Sequence, residues 1–352
     1  MGRVRSMFLL GILATTAGIS CLVQLAVAGP LYLNAGGGTA TWDNSTALDW
    51  SSNSTGSPLN SVWIANSDAH FVGSGGTVTM SGPISRINSL NFDAGGYTLN
   101  LNGANQVVGS LSSGTTTGTA IYLSGGSLTV DATASSTFSG WIYGMNNTDP
   151  ISPGTFTYAG TGGCLTETGG FYCNTTRVTA GTLQVASATG LMNTVFDANG
   201  GGVLSFTSTL SWVGALSGSG NIALNNSDSG GGVSLYLITP VGSASTYSGV
   251  LSGSGSLIKA ASCTQTLAGA STYTGGTTVR GMLAVTQLAN GGSPSSIGAS
   301  NSTASNLTLD GGELQYVGTA AAFTDRGFTL TSNGGTLDAS GGGPLAVSAS
   351  RQ

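Results

Sequence analysis

Residues 245–283 read STYSGVLSGSGSLIKAASCTQTLAGASTYTGGTTVRGML. Inside this stretch Ser245-Thr246-Tyr247-Ser248-Gly249 returns as Ser271-Thr272-Tyr273-Thr274-Gly275, with a weaker copy upstream at Ser136-Thr137-Phe138-Ser139-Gly140. Leu251-Ser252-Gly253-Ser254-Gly255 repeats Leu216-Ser217-Gly218-Ser219-Gly220 letter for letter. A chain rich in Gly and Ser generates some matches by chance. An aromatic held at the same place in three copies argues for a repeated structural unit.

Outward from this stretch, short runs alternate apolar and polar residues: Thr77–Met80, Tyr97–Leu101, Ser127–Val130, Thr155–Tyr158, Thr182–Val185, Asn306–Leu309, Glu313–Tyr316 and Phe328–Thr331. Alternation with a period of two reads as a strand with one buried face. Gly-Gly pairs precede many of these runs, at Gly75-Gly76, Gly95-Gly96, Gly125-Gly126, Gly311-Gly312 and Gly334-Gly335. From Gly76 to Gly96 is 20 residues and from Gly312 to Gly335 is 23. A sandwich needs no such period, whereas one coil of a β-solenoid takes roughly 20 or more residues. The fold class read from these signals is all-β, a right-handed single-stranded parallel β-helix.

The charge content fits that reading. Only 6% of the 352 residues are charged, while 59 are glycine. In a parallel solenoid each outward side chain lies about 4.8 Å above its equivalent on the next coil, so a charge repeated down a column would repel itself. Ser, Thr and Asn avoid that repulsion and hydrogen-bond along the column. At about 22 residues per coil the chain would make roughly 14 coils and a rod near 70 Å. Beyond the first residues the cations are Arg86, Arg177, Lys259, Arg280, Arg326 and Arg351. No basic patch exists, which argues against nucleic acid as a partner.

Residues 1–28 have the three parts of a secretory signal: Arg3 and Arg5, an uncharged apolar run Met7–Val23, and Ala26-Val27-Ala28 as cleavage site. An uncleaved anchor and a lipoprotein site at Cys21 are the weaker readings. The expected organisation is a signal peptide at 1–28, N-terminal coils with a Trp-rich cap at 29–130, repeat-bearing coils at 131–290, and further coils, cut short, at 291–352. An oxidising compartment allows a local Cys164–Cys173 disulfide, and two buried free thiols are the equal alternative. Cys263 has no evident partner.

The segment Gly253-Ser254-Gly255-Ser256-Leu257-Ile258-Lys259, then Thr266–Val279, then Leu283 resembles the autotransporter-associated β-strand repeat, whose pattern runs G-x-G-x-L-x-K, T-L-x-G-x-x-x-Y-x-G-x-T-x-V and G-x-L. The best copy is 251–285. A degenerate copy runs through Tyr172, Thr176, Val178, Gly181, Leu183 and Val185, departing at Cys173-Asn174-Thr175. Looser similarity covers Thr41-Trp42-Asp43, Trp50, Trp63 and Ala69-His70-Phe71 before the repeats, and Ser296-Ile297-Gly298 and Asp325–Leu330 after them. The resemblance implies a pectin-lyase-like β-helix passenger, exported to the cell surface or outer membrane or released, adhesin-like, with repeats that aid export. It implies two partners: an outer-membrane translocator β-barrel not in this chain, and an unidentified host or matrix glycan or protein. The family ends in such a barrel, and this chain stops at Gln352 without one, which reads as a fragment or another route out of the cell.

His70 is the sole histidine and reads as a strand-edge residue, not a triad base. Lys259 and Arg280, 21 positions apart, would suit a lyase of this fold if they stacked on adjacent coils, but no Asp or Glu lies between residues 229 and 309 to hold calcium. Asp43 with Asp49 and Asp310 with Glu313 are the carboxylate pairs a glycosidase would need. The odd spacing sets Asp310 and Glu313 on opposite faces of a strand. Asp197-Ala198-Asn199-Gly200 has a calcium-loop look without acidic partners. Trp42, Trp50 and Trp63 read as a plug for the open end of the core in preference to a sugar-stacking platform. The expectation is therefore no catalytic, cofactor-binding or metal residue and no cofactor. The alternatives are a β-helix lyase or hydrolase acting on polysaccharide, or an export module with no ligand.

Overall fold

The computed structural model describes residues 28–45, 48–114, 118–144, 154–238 and 244–348. Apart from Ala28, the export signal expected at 1–28 lies outside the described residues. The chain winds as a parallel β-solenoid of about 12 turns. Every pairing between the strands named below is parallel. Along one face the step between rungs is regular: Ala69 faces Leu90, and Leu90 faces Leu111. The expected 14 coils become about 12 because some coils carry insertions. Leu31 meets Ala69 38 positions on, and Thr278 meets Thr308 30 positions on. At about 4.8 Å per rung the rod is roughly 58 Å long.

The alternating runs become strands with the anticipated faces. Ser89–Phe92 buries Leu90 and Phe92, and Ser127–Val130 buries Leu128 and Val130. Asn306–Leu309 and Phe328–Thr331 are shorter than their patterns suggest: the strands there are Leu307–Leu309 and Thr329–Leu330. Inward residues stack into columns, such as Val78, Leu99, Ile121, Ile142 and Phe171, one per rung. Each fully buried aliphatic or aromatic side chain contributes roughly 1.5–3 kcal/mol, and the column makes each rung the template for the next.

This face continues beyond Phe171. The Phe171 amide donates to the Gly190 carbonyl, which seats Phe171 beside Leu191. Leu191 then pairs Val213, Val213 pairs Leu237, and Leu237 pairs Lys259. Lys259 pairs Val279, which pairs Leu309.

The glycine pairs mark corners where two separate requirements meet. Gly125 has φ of +88°, a left-handed turn that glycine adopts without strain. A Cβ on Gly126 would lie 2.2 Å from the Ala104 carbonyl oxygen of the rung below. One glycine turns the chain and the next lets the coils touch.

Outward columns hydrogen-bond as the composition implies. Ser127 Oγ donates to Asn105 Oδ1 at 2.9 Å, and Ser112 Oγ to Asn91 Oδ1 at 2.8 Å. Some inward positions are polar, which the sequence reading did not foresee. Gln265 both accepts from the Leu216 amide and donates to the Leu216 carbonyl, each at 3.0 Å. Thr277 meets the Tyr273 hydroxyl at 2.7 Å.

Candidate functional site

The residues singled out in the sequence do not converge on one centre. Trp42 and Trp50 are fully buried and Trp63 nearly so. Their rings touch edge-on or tilted at 4.8, 4.9 and 5.2 Å, above the stacked Phe71–Phe92 pair. All three are packed into the core and offer no face to a sugar. Their indole N–H groups differ: Trp63 Nε1 donates to the Ser85 carbonyl, whereas Trp42 and Trp50 Nε1 have no hydrogen-bond partner among the described residues.

His70 corrects the strand-edge expectation. Its strand Asp68–Phe71 lies between Pro30–Leu33 and Ser89–Phe92, so His70 sits inside the ladder. Its Nδ1 lies 2.6 Å from Asp93 Oδ2 and its ring packs on Tyr32 at 5.0 Å. Asp43 is held below its usual pKa by hydrogen bonds from Ser45. Asp49 is raised, chiefly by burial and also by the Asp43 charge.

Lys259 and Arg280 do not form a basic pair. Lys259 is fully buried in the aliphatic column between Leu237 and Val279, where the sequence reading had allowed it an outward role. Its Nζ donates to the Ala261 carbonyl, and burial pulls its pKa down to about 8. Arg280 is exposed and its Nε meets Asp310 Oδ2 at 2.9 Å. Asp310 also accepts from Thr331 and Asn333, and these bonds hold its pKa down. Glu313 begins the next strand, opposite Met282. The shallow depression beside them has Arg280 and Glu313 as its only ionisable lining residues. Asp197 is engaged by Arg177 and by the Asn199 amide.

No disulfide joins Cys164 and Cys173. Cys164 opposes Thr182 in the ladder, while Cys173 points into the core beside Thr176 and Thr194 at 3.6 and 3.9 Å. Burial raises the Cys173 thiol, so it stays protonated. Glu167 is another inward ionisable group. It is 1% exposed, neither carboxyl oxygen has a hydrogen-bond partner among the described residues, and burial raises its pKa to about 8.

One surface feature escaped the sequence reading. On the sheet that runs from Thr39–Trp42 to Gly170–Tyr172, the outward column reads Thr41, Thr79, Asn100, Tyr122, Tyr143, Tyr172. The neighbouring outward column reads Thr39, Thr77, Thr98, Ala120, Trp141, Gly170. Tyr122 and Tyr143 stack at 5.0 Å with 18° between planes, and Tyr143 lies 5.3 Å from Tyr172. Trp141 joins them at 6.5 Å from Tyr143 and 5.3 Å from Tyr172. A Cβ on Gly170 would come within 2.6 Å of the Trp141 ring, so the ring lies over the glycine. All four aromatics are half-buried. The signal was present as Ala120-Ile121-Tyr122, Trp141-Ile142-Tyr143 and Gly170-Phe171-Tyr172, but only the register shows that the outer residues align.

The described residues form a parallel β-solenoid whose aromatic strip lies on an outer face of the rod. The chain is similar to the adhesin BmaC autotransporter of Brucella suis biovar 1 (strain 1330), with 34% identity over 226 residues. That match covers 61% of this chain and 6% of the relative, so the chain spans a small part of that protein's length. No family model matches the chain. No solved structure matches it either.

Proposed function

We propose that the chain is a non-enzymatic, adhesin-like passenger segment, exported and presented at the cell surface. The observation that carries this reading is a solenoid whose outward charges pair across adjacent rungs, as Arg177 with Asp197 and Arg280 with Asp310, in a chain similar to part of an autotransporter adhesin. Catalysis by general acid and base requires two convergent groups of displaced pKa facing a substrate. Here Glu167 and Lys259, whose pKa values burial moves furthest toward neutrality, face the core. A rigid rod instead works by geometry, holding its outer columns away from the membrane. Export is supplied by a translocator β-barrel, and coil-by-coil folding suits passage through it because contacts are local. The repeat at 251–285 assists that step.

The test is labelling of intact cells that produce the full chain beside a translocator. An antibody against residues 29–352 is expected to label the surface or find the chain in the medium, and the cells should adhere to host matrix better than cells without it. A chain confined to the cell interior, or unchanged adherence, contradicts the proposal. Deleting 251–285 is expected to reduce surface display.

A further inference from the structure

We propose that the aromatic strip of Tyr122, Trp141, Tyr143 and Tyr172 binds an extended, uncharged, β-linked polysaccharide lying along the solenoid axis. This rests on the adhesin reading and names the class of ligand it would take. Three observations carry it.

The rings are outward and line up in register. An inward aromatic has a packing role that explains it, but these four lie on the opposite side of the sheet from the Ile121, Ile142 and Phe171 column. Tyr143 lies between Tyr122 and Tyr172 in a cross-rung stack, so the tyrosines turn ring edges and hydroxyls outward, where the C–H and hydroxyl groups of a sugar can pack and hydrogen-bond. Successive rungs about 4.8 Å apart match the scale of one sugar unit. On the same face, two rungs beyond Tyr172, Trp212 and Tyr236 form a separate aromatic pair in register with rings 5.7 Å apart, beside Val213 and Leu237 in the inward column. A straight row of rings fits a ribbon-like chain, as β-linked glycans are, and not a coiled one.

The strip carries no charge. Among the described residues, no Asp, Glu, Lys or Arg occupies an outward position on either column from the Thr39–Trp42 strand to Tyr172. A uronic-acid polymer would find no cation there, and a basic peptide no anion. Electrostatic complementarity therefore favours a neutral partner.

Polar donors flank the rings. Asn100 Oδ1 is occupied by Ser124 Oγ at 2.7 Å and the Asn102 amide at 2.8 Å, which leaves the Asn100 amide nitrogen to donate to a sugar hydroxyl. The three tyrosine hydroxyls add further donors and acceptors. A few polar groups beside aromatic faces are the usual composition of a site that fixes an uncharged ligand.

The full exported chain is run in native gels containing hydroxyethylcellulose, galactomannan or polygalacturonate. Retardation is expected on the two neutral polymers and not on polygalacturonate. Trp141→Ala and Tyr143→Ala are expected to weaken it roughly tenfold each, equivalent to about 1.4 kcal/mol. Phe323→Ala, an exposed aromatic off the strip, should leave it unchanged. Nitration of the unaltered protein gives a readout independent of variant folding: galactomannan should protect Tyr122, Tyr143 and Tyr172 and leave Tyr32 reactive. No retardation by either neutral polymer overturns the proposal. So does equal retardation by polygalacturonate, or equal protection of Tyr32. A chain that is surface-displayed and adhesive yet fails these assays loses the glycan assignment and keeps the passenger reading.

Discussion

Arg177 and Asp197 are register partners on adjacent rungs, with Arg177 Nε 2.8 Å from Asp197 Oδ2. A charge in a parallel solenoid always has a neighbour one rung away, so it must be matched there or left out. This pair is matched, and the Asp197 side chain is only 9% exposed. Asp197→Arg would set two cations face to face in a half-buried position. It is expected to lower unfolding free energy by about 2–3 kcal/mol. Combining it with Arg177→Asp should restore at least half of that in urea titrations. A reversal that costs nothing would contradict the register.

Glu167 gives the stability curve a falling limb. Its carboxyl has a pKa of about 8 when folded and its ordinary 4.5 when unfolded. Between these values the unfolded chain binds fewer protons, so stability drops as pH rises from about 4.5 to about 8. The loss is of the order of 5 kcal/mol. Glu167→Gln is expected to flatten this limb, read from urea midpoints at several pH values across the window.

Lys259 acts in the opposite direction. Burial lowers its pKa from 10.5 to about 8, so over that interval the unfolded chain binds more protons and stability rises with pH. At pH 7, below that pKa, the buried charge is still largely present. Lys259→Met keeps the stem's packing against Leu237 and Val279 and is expected to stabilise the protein by about 2 kcal/mol at pH 7. The rise between pH 8 and 10.5 should vanish with it.

Gly281 and Gly292 separate the two reasons for glycine. A Cβ on Gly281 would stand 1.7 Å from the Ala261 carbonyl oxygen, in rigid backbone. At Gly292 nothing lies within 4 Å, but φ is +83°. Gly292→Ala should cost about 1–2 kcal/mol through backbone strain alone. Gly281→Ala should cost more, about 3 kcal/mol, because two rungs must part. Thermal melts of the two variants check the order.

The fold was legible because its determinants are local and periodic. Alternation in Ser127–Val130 states which side is inward, and Gly125-Gly126 states where the corner falls. Coil count was less legible: the 38-residue excursion between Leu31 and Ala69 carries Trp50 and Trp63, and no sequence period announces such an insertion. Lys259 illustrates the limit for side chains. Its place in the repeat was recognised, yet only the parity of the strand Ser256–Lys259 turns it inward. The tyrosine strip was illegible for a related reason. Tyr122 and Tyr143 are 21 residues apart and Tyr143 and Tyr172 are 29, so their alignment depends on an insertion that shifts the count without shifting the register.

Distance across stacked rungs is the most direct test. Nitroxide labels are placed at Thr98→Cys and Thr308→Cys, with the native cysteines replaced by alanine, and measured by electron double resonance. The two positions lie on one continuous face, nine strand spacings apart, which predicts about 43 Å. Moving the second label to Thr278→Cys, one rung nearer, should shorten the distance by about 4.8 Å. A separation well below 30 Å, or no change between the two pairs, would contradict a single-direction stack of rungs.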